Sequence, residues 1–310
     1  MYQQALTLIK QYPRIIIHRH HHPDGDAIGS QMGFYHLVRD NFPDKEVYIV
    51  GDAPGRYAFV PGCQPMQIED SLYEGALAVL LDMAAPHLVS DDRYRLAAAT
   101  LRFDHHLYVE KFTTAEVIDT SFESCCGLVA DFALSAGLHL SAEAASALYT
   151  GMVTDSGRFR YDSTSPRTHR LAAALLEAGV DTNAIFAELY ADDYRMMRLR
   201  AEFILNINFT DHGVAYIYTD LERFKSFGVD TFTISRGMVN VMSDICGVHS
   251  WVNFTETEEG VQCELRSKKY NINPIAVKYG GGGHVKASGA MVKNREEAMQ
   301  MLADMDKLGE

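Results

Sequence analysis

The sequence has no long run of apolar residues. No stretch of the 310 residues approaches the roughly 18 uninterrupted apolar side chains that a membrane-spanning helix needs. The first residues, Met1-Tyr2-Gln3-Gln4, also lack the basic start and the apolar segment of a signal peptide. We therefore expect a cytoplasmic protein that does not span a membrane.

Cysteine is scarce, and the five cysteines are Cys63, Cys125, Cys126, Cys246 and Cys263. Their number is odd and no Cys-x-x-Cys pair occurs, which argues against a disulfide framework and against a structural zinc site. Buried free thiols are the interpretation that remains.

Basic residues are outnumbered by acidic ones, and the formal net charge is −13. A negative protein repels the phosphate backbone of long nucleic acid. A small phosphorylated substrate is not excluded, because carboxylates that hold divalent cations form a locally positive site once the cations are bound. The charge therefore limits the size of the substrate more than its chemistry.

What the sequence does have is an alternation of strands and helices. With 47% hydrophobic and 22% charged residues the composition is that of a globular enzyme, and the length allows two domains. In residues 1–185 the alternation predicts an α/β fold with a doubly wound parallel sheet covered on both faces. The predicted strands are 14–18, 76–81, 99–103 and 115–118, and the predicted helices include 30–40, 125–136 and 165–179.

Local signals place the ends of two of these helices. Thr120 and Glu123 are spaced as a capping box before the helix at 125–136. Ser165, Pro166 and Gly179 have the positions of an N-cap, a first turn and a helix stop.

The second part of the chain predicts a smaller domain. From about 183 to 206 the sequence is that of one long helix with a polar face. We take 186–206 as a linker helix between a catalytic domain, 1–185, and a smaller α/β substrate-binding domain, 207–310. Within the smaller domain, strands are predicted at 214–218 and 251–254, and helices at 236–245 and 294–306.

Aspartate and histidine residues stand where predicted strands and helices end. They are His20, Asp24, Asp26, Asp82, Asp104, His105, His106 and Asp155. The carboxyl ends of parallel strands share one edge of a sheet, where ligands bind, so distant segments would deliver these side chains to one cleft. Each segment alone is better explained by a turn or a helix cap. Together they favour a metal centre.

These positions resemble the signature of the DHH phosphoesterase family, which is named for the run Asp104-His105-His106. The match extends to His20-x-x-x-Asp24-x-Asp26, to Asp82 and to Asp155. The resemblance implies two divalent cations, most often Mn²⁺ and otherwise Mg²⁺ or Co²⁺. It implies that His20 and Asp24 hold one cation, that Asp26, His105 and Asp155 hold the other, and that Asp82 bridges them. His106 would face the substrate phosphate with support from Asp104, so that His106, Asp82 and Asp104 form the predicted catalytic set.

The chemistry of such a pair explains the residue types. Two cations about 3.5–4 Å apart activate a shared water and stabilise the entering and leaving oxygens of a phosphoester. A mixture of carboxylates and imidazoles suits Mn²⁺ better than the oxygen-only shell that Mg²⁺ prefers. His18, His21 and His22 are not expected to be ligands, although strand alternation leaves His18 as a candidate for a supporting contact.

A second motif consists of four consecutive glycines, 280–283, followed by His284. Backbone N–H groups of glycine approach an anion closely because no Cβ intervenes. Between Glu264 and Lys293 there are six Lys or Arg and one acidic residue, the reverse of the balance in the whole chain. The glycines alone are equally compatible with a flexible loop, but the basic cluster favours a phosphate site.

This second motif resembles the DHH-associated nucleotide-binding domain. The resemblance assigns substrate binding to Arg266, Ser267, Gly282, Gly283 and His284. The run Arg266-Ser267-Lys268-Lys269 is also similar to one in family II inorganic pyrophosphatases, but those proteins lack the glycine loop.

The whole pattern resembles the branch of the family that contains nanoRNases and pAp phosphatases. It implies hydrolysis of oligonucleotides of about two to five residues to 5′-mononucleotides, a size limit that agrees with the negative charge. It also implies hydrolysis of 3′-phosphoadenosine 5′-phosphate (pAp) to AMP. Two alternatives stay open: a phosphodiesterase for cyclic dinucleotides or linear pApA, and, less favoured, a non-catalytic nucleotide-binding protein. Neither long nucleic acid nor a membrane is expected as a partner, and a homodimer is compatible with the resemblance.

Overall fold

The structure, a computed structural model, describes residues 2–191 and 193–309 of the chain. By its internal contacts the chain divides into two units, Met1–Ala191 and Asp192–Glu310. Each unit has a hydrophobic core of its own. Within the described ranges, no helix combines the length and the apolar character needed to cross a membrane.

The centre of the first unit is a five-stranded parallel sheet. Its strands are β1 (Arg14–His18), β2 (Glu46–Ile49), β3 (Leu77–Leu81), β4 (Ala99–Asp104) and β5 (Ala115–Ile118). Their order in the sheet is β2-β1-β3-β4-β5, so Ile17 of β1 pairs with Ile49 on one side and with Val79 on the other. Strands β1 and β3 are nearly continuous apolar runs because both faces of the sheet are covered.

The two faces of this sheet are covered differently. The α-helices of the unit are α1 (Tyr2–Gln11), α2 (Gly25–Asn41), α3 (Cys125–Ser135), α4 (Ala142–Asp155), α5 (Pro166–Glu177) and α6 (Thr182–Tyr190). Their apolar residues form one core with Ile15 and Ile17 of β1. Ile16 points to the other face and packs against Tyr73, which belongs to a single-turn 3-10 helix. The predicted α/β class with a covered parallel sheet is confirmed.

Two helix ends test the predicted capping signals. As predicted, Ser165 caps α5, in a capping box with Thr168. The predicted capping box of Thr120 and Glu123 is wrong. The residue that caps α3 is Ser124, whose hydroxyl accepts the N–H of Gly127.

The single long helix predicted over 183–206 is also wrong. Helix α6 ends at Tyr190, and Ala191 has an extended backbone with φ −64° and ψ 117°. A new helix, α7 (Tyr194–Leu205), begins after Asp193, whose carboxylate accepts the N–H of Arg195. An aspartate N-cap favours a fresh helix start over continuation. The predicted linker helix 186–206 is thus the end of α6 followed by α7.

The second unit contains a six-stranded mixed sheet and helices on it. Its strands are β6 (Asn208–Phe209), β7 (Val214–Thr219), β8 (Ser250–Thr257), β9 (Gly260–Ser267), β10 (Gly282–Gly283) and β11 (Ala287–Val292), in the order β10-β11-β9-β8-β7-β6. The remaining helices are α8 (Leu221–Phe227), α9 (Thr231–Met238), α10 (Asn273–Lys278) and α11 (Arg295–Asp306). The helix predicted at 236–245 is misplaced. Asp230 caps α9, and the 3-10 turn Val239–Met242 follows it.

Candidate active site

The middle of the first sheet contains a topological switch point. Strand β1 has β2 on one side and β3 on the other, so the chain leaves β1 and β3 in different directions. Open α/β sheets bind ligands in the crevice outside the carboxyl ends of such strands. His20, Asp24 and Asp26 follow β1, and Asp82 follows β3, at this edge of the sheet.

His20, Asp24 and Asp82 form a first group of donor atoms. His20 Nε2 lies 3.8 Å from Asp24 Oδ1 and 3.5 Å from Asp82 Oδ2. His20 Nδ1 lies 2.7 Å from the carbonyl oxygen of His21. A hydrogen bond donated by Nδ1 to this carbonyl selects the tautomer whose Nε2 lone pair is free for a cation.

Asp26, His105 and Asp155 form a second group. His105 Nε2 lies 3.7 Å from Asp26 Oδ2 and 3.4 Å from Asp155 Oδ2. His105 Nδ1 lies 3.3 Å from the carbonyl oxygen of Phe122, which again leaves Nε2 for a cation. In each group the donor atoms lie within 4.8 Å of one another.

Asp82 joins the two groups. Its Oδ2 faces His20, whereas its Oδ1 lies 3.5 Å from His105 Nε2. The side chain is almost fully buried, and Oδ1 has no hydrogen-bond partner among the described residues. A buried carboxylate oxygen without a donor is unfavourable. The arrangement therefore fits two cations that share Asp82.

His106 lies beside these groups and is half exposed. Its Nδ1 lies 2.8 Å from Asp104 Oδ1 and 3.6 Å from Asp82 Oδ1. The hydrogen bond to Asp104 raises the pKa of His106 to about 9, against the effect of burial. The imidazole is therefore in its protonated, cationic form at neutral pH, and Asp104 fixes its orientation.

The carboxylates of the site are too crowded to be charged without a counter-charge. Burial, together with the charges of Asp82 and Asp24, raises the pKa of Asp26 well above its ordinary value. Burial and the charge of Asp26 raise the pKa of Asp155 to about 8. Burial disfavours the charged form of His20, but hydrogen bonds to Asp24 and Asp82 raise its pKa to about 11. Divalent cations fit such a site because they stabilise the charged carboxylates where protons otherwise do so.

The start of α3 holds Asp26 in place. Its carboxylate accepts the N–H groups of Cys125 at 2.7 Å and Cys126 at 2.9 Å, at a helix end whose partial positive charge favours an anion. Asp24 in turn caps α2, and its Oδ1 accepts the N–H groups of Asp26 and Ala27, both at 3.0 Å. These hydrogen bonds from backbone N–H groups fix the positions of the Asp24 and Asp26 carboxylates. In this role the two cysteines act through their backbone N–H groups.

Close packing of α2 on α4 brings Asp26 and Asp155 together. A Cβ at Gly29 of α2 would lie 2.6 Å from the carbonyl oxygen of Ala147 and 2.9 Å from the nitrogen of Gly151, so the two backbones approach directly. Gly25 and Gly33, one helical turn to either side, also lack room for a Cβ. This glycine stripe was not predicted from the sequence, although the spacing 25, 29, 33 is its signal.

His18 lies apart from both donor groups. It is fully buried, and its ring centre lies 5.7 Å from that of Tyr73 and 6.0 Å from that of Tyr94. Burial lowers the pKa of His18 to about 4. The structure therefore gives His18 a packing role, and the supporting contact suggested by strand alternation is wrong.

In the second unit, the predicted nucleotide-binding residues come from β9 and β10, which flank β11, and from the turn after β10. Arg266 of β9 pairs with Ala287 of β11, and Gly283 of β10 pairs with Ser288. His284 follows in a tight turn, where its N–H donates to the carbonyl of Ala287 at 2.7 Å. The sheet thus collects Arg266, Gly283 and His284 in one region of this unit.

Arg266 and Ser267 already have partners inside the protein. Arg266 Nη2 lies 3.1 Å from the Glu264 carboxylate. The hydroxyl of Ser267 accepts the N–H groups of Lys269 and Tyr270. A phosphate contact from either residue would be added to this structural role, and at Arg266 it would compete with Glu264.

The four glycines are not a flexible loop. Gly280 and Gly283 have φ of +78° and +134°, which favour glycine, and a Cβ at Gly281 would overlap the carbonyl oxygen of Gly289. At Gly282 a Cβ would meet open space. Packing and backbone conformation explain three of the glycines, and Gly282 leaves its backbone accessible to a ligand.

Three features of the first unit define the class of metal-dependent phosphoesterases. They are the parallel sheet with its switch point, the two donor groups that share Asp82, and the protonated His106. The model of the DHH family N-terminal domain matches residues 14–152, and that of the DHHA1 domain matches residues 214–308. The chain belongs to the DHH family.

Its similarity to known proteins extends over nearly the full chain. The bifunctional oligoribonuclease and PAP phosphatase NrnA of Bacillus subtilis is 30% identical, over 99% of this chain and 98% of its own length. A probable bifunctional oligoribonuclease and PAP phosphatase NrnA of Streptococcus mutans is 34% identical, over 99% of both chains. The crystal structure of an exopolyphosphatase-related protein of Bacteroides fragilis has a TM-score of 0.85 and 27% identity, and the match covers 99% of this chain and 95% of that one.

Proposed function

We propose that this chain is a metal-dependent phosphoesterase that hydrolyses short oligonucleotides to 5′-mononucleotides and pAp to AMP. The observation that carries the proposal is the pair of donor groups that share Asp82. The substrate class is supported by relatives that are named for both activities and match over almost their whole length. Substrates of about two to five nucleotides agree with the net charge of −13, which disfavours longer strands.

Two divalent cations, in our proposal Mn²⁺, would be held by six side chains. His20 and Asp24 would hold one cation, Asp26, His105 and Asp155 the other, and Asp82 both. When bound, such a pair lowers the pKa of water and neutralises charge on the phosphate oxygens. The mixture of imidazole and carboxylate donors is the support for Mn²⁺.

The protein's own contribution to the reaction is centred on His106. With Nδ1 engaged by Asp104, the imidazole can donate from Nε2 to an oxygen of the reacting phosphate. Negative charge on those oxygens grows in the transition state, so a fixed donor there lowers the barrier. Asp104 keeps the imidazole oriented and protonated throughout.

In the second unit, Arg266, Ser267, Gly282, Gly283 and His284 would bind a nucleotide. The accessible backbone of Gly282 supports an anion contact. Lys268, Lys269 and Lys286 are further positive charges on the same strands and turns, where an anionic ligand is stabilised. A cytoplasmic location and a homodimer remain predictions that belong to the same proposal.

Product analysis on a substrate panel tests the function. The purified protein is incubated with Mn²⁺ and pApA, a pentanucleotide, pAp, a cyclic dinucleotide or pyrophosphate, and products are separated by ion-exchange chromatography. We expect mononucleotides from the linear oligonucleotides, AMP from pAp, and no turnover in EDTA. Preference for the cyclic dinucleotide, or tight metal-free binding of pAp without turnover after metal addition, would overturn the proposal.

A further inference from the structure

Arginine and tyrosine side chains cluster at the edge of the donor groups in the first unit. The members, which we refer to as the arginine–tyrosine cluster, are Arg56, Tyr57, Arg158, Tyr161 and Tyr190. The Arg158 guanidinium lies 5.3 Å from the ring centre of Tyr190, and Arg56 donates a hydrogen bond of 3.1 Å to the carbonyl of Leu189. Burial raises the pKa of Tyr190, and the guanidinium charges of Arg158 and Arg56 both lower it. The two arginines therefore converge on one ring.

The cluster adjoins two of the predicted metal ligands. The ring of Tyr161 lies against Gly157, two residues after Asp155, because a Cβ on Gly157 would lie 2.5 Å from the ring carbons. Burial raises the pKa of Tyr57, Arg56 lowers it, and the charge of Asp24 raises it again. The Tyr57 hydroxyl is thus within reach of the Asp24 charge, on the side where Gly25 begins α2. The cluster borders the metal groups on the side of Asp24 and Asp155.

The backbone that presents Arg158 is strained. After α4, Gly157, Arg158 and Phe159 have φ of +57°, +64° and +62°, a region that is unfavourable for residues with a Cβ. For Phe159 packing explains the conformation, since its ring contacts those of Tyr149 and His169. Arg158 is exposed, so core packing does not explain an arginine there. Strain of this kind clusters at binding and catalytic sites.

The charge and exposure of the cluster indicate its ligand. No carboxylate of the described residues lies within ion-pair distance of Arg56 or Arg158, although the chain has an excess of acidic groups. Two unpaired guanidinium groups attract an anion and suit phosphate in particular. Tyr161 and Tyr190 are 61% and 46% exposed, and exposed aromatic rings provide stacking surfaces for bases.

We propose that the arginine–tyrosine cluster is a second nucleotide subsite, built by the first unit alone, in which Arg56 and Arg158 bind a phosphate group and a tyrosine ring stacks on a base. The inference rests on the proposed function, because it takes an oligonucleotide as the substrate. The subsite holds the part of the substrate next to the phosphate that is cleaved. It therefore favours a dinucleotide over a simple phosphodiester.

The test compares two substrates on the full-length protein with Mn²⁺. One is pApA, and the other is bis(4-nitrophenyl) phosphate, a small diester with neither a base nor a second phosphate. We expect Arg158→Gly to raise KM for pApA about tenfold or more, as the loss of a charge-assisted hydrogen bond predicts. KM for the small diester should change less than about twofold, since the metal groups are untouched. The melting temperature should stay the same or rise, because glycine accepts the left-handed conformation.

Two further variants separate charge from structure. Arg158→Lys keeps the charge but not the planar, two-pronged guanidinium, so its KM for pApA should lie between those of the wild type and Arg158→Gly. Arg170→Gln, which removes an exposed arginine of α5, should behave as the wild type.

Three outcomes would overturn the subsite: an unchanged KM of Arg158→Gly for pApA, an equal loss on both substrates, or a lower melting temperature together with that loss. A wild-type protein that cleaves the small diester but not pApA would instead contradict the proposed function. Calorimetric titration of pApA into wild type and Arg158→Gly then decides the subsite, which predicts weaker binding to the variant.

Discussion

Among single residues, Asp82 has the most demanding position. Its backbone is left-handed, with φ +62°, directly after β3, and its N–H donates to the carbonyl of Phe103. Aspartate is one of the few residues with a side chain that tolerates this conformation. The turn directs a short carboxylate between His20 and His105, where an apolar side chain would leave both imidazoles without a shared partner.

Replacing this carboxylate by an amide tests the shared position. Asp82→Asn keeps the size and the backbone preference but removes the charge that two cations would share. We expect kcat to fall by about 1,000-fold or more, with the circular dichroism spectrum unchanged. Mn²⁺ content measured by mass spectrometry should fall in parallel. Near-normal turnover by folded Asp82→Asn at saturating Mn²⁺ would show that the ligand assignment is wrong.

The other prediction for a single residue concerns Arg266. Arg266→Ala should raise KM for pAp about tenfold with little change in kcat, because a contact to a non-reacting phosphate is equally strong in the ground and transition states. Lys293→Ala, which removes an almost fully exposed lysine that follows β11, is the matched control. Steady-state kinetics provides both constants. A large fall in kcat at constant KM would contradict the binding role.

Among the elements, the pair α2 and α4 determines the geometry of the second donor group. Asp26 lies in the first turn of α2 and Asp155 at the end of α4. The distance between these carboxylates depends on how closely the two helices pack at Gly29 and Gly151. A glycine contact between helices thus controls a metal site.

A methyl group at Gly29 should separate the two helices. Besides the Cys126 sulfur, its nearest neighbours would be the carbonyl oxygen of Ala147 and the nitrogen of Gly151, backbone atoms that cannot move aside as a side chain can. We expect Gly29→Ala to lower stability by about 1–3 kcal/mol and to weaken Mn²⁺ binding. Gly237→Ala in α9 is the control, because a methyl group there would have its nearest neighbour, the carbonyl oxygen of Phe232, at an ordinary contact distance of 3.6 Å. Thermal melts and calorimetric Mn²⁺ titrations would measure both effects, and equal losses in the two variants would contradict the argument.

The crowded carboxylates predict how the stability of the metal-free protein depends on pH. Asp155, His20 and His106 all bind their protons more tightly in the folded chain, with pKa values raised to about 8, 11 and 9. Such groups stabilise the fold below their unfolded-state pKa, and that stability is lost as the pH rises through the folded-state pKa. The melting temperature in EDTA should therefore fall by a few degrees between about pH 7 and pH 9.

Mn²⁺ should remove most of this decline, because the cation replaces the protons. Asp155→Asn should reduce it, since one titrating carboxylate is gone. The pKa of His18 is lowered to about 4 from its ordinary value of 6.5, so its contribution to stability rises with pH. That rise is nearly complete at about pH 7 and has little effect in the range from about pH 7 to pH 9. Scanning calorimetry with and without Mn²⁺ measures the effect. A melting temperature in EDTA that rises with pH over this range would contradict the electrostatic account.

The sequence predicted elements where one physical signal dominates. Strands β1 and β3 are buried apolar runs, whereas β4 and β5 alternate apolar with polar residues, and period and composition alone identify all four. The break at Ala191 was missed because both flanking segments have helical periodicity, and only the capping aspartate at 193 distinguishes two helices from one. The glycine stripe of α2 was missed for another reason. A glycine's close contact with another helix is a tertiary property that composition does not show.

For the whole molecule, sequence order and topology together made the site predictable. His20 and Asp82 are distant in the chain, and a parallel sheet collects the residues that follow its strands at one edge. Asp155 comes instead from the end of α4. The order β2-β1-β3-β4-β5 adds what the sequence does not contain, since it places the ends of β1 and β3 side by side. The strained turn after Asp155 was not predictable, because arginine and phenylalanine seldom adopt its conformation.

The charge of the whole molecule leads to a last prediction, on the response to salt. An anionic ligand loses affinity with added salt in proportion to the phosphates that cations of the protein neutralise, with a slope of about −0.7 per phosphate for single strands. The proposed contacts involve few phosphates, and screening of the net charge of −13 works in the opposite direction. A plot of log(1/KM) for pApA against log[KCl] should therefore have a slope between about 0 and −2.

An oligonucleotide of about 20 residues should compete no better than pApA, because its additional phosphates meet a repulsive surface. A slope steeper than about −4, or much tighter binding of the longer strand, would mean that an extended basic track contacts the substrate, and short oligonucleotides would then not be the preferred class.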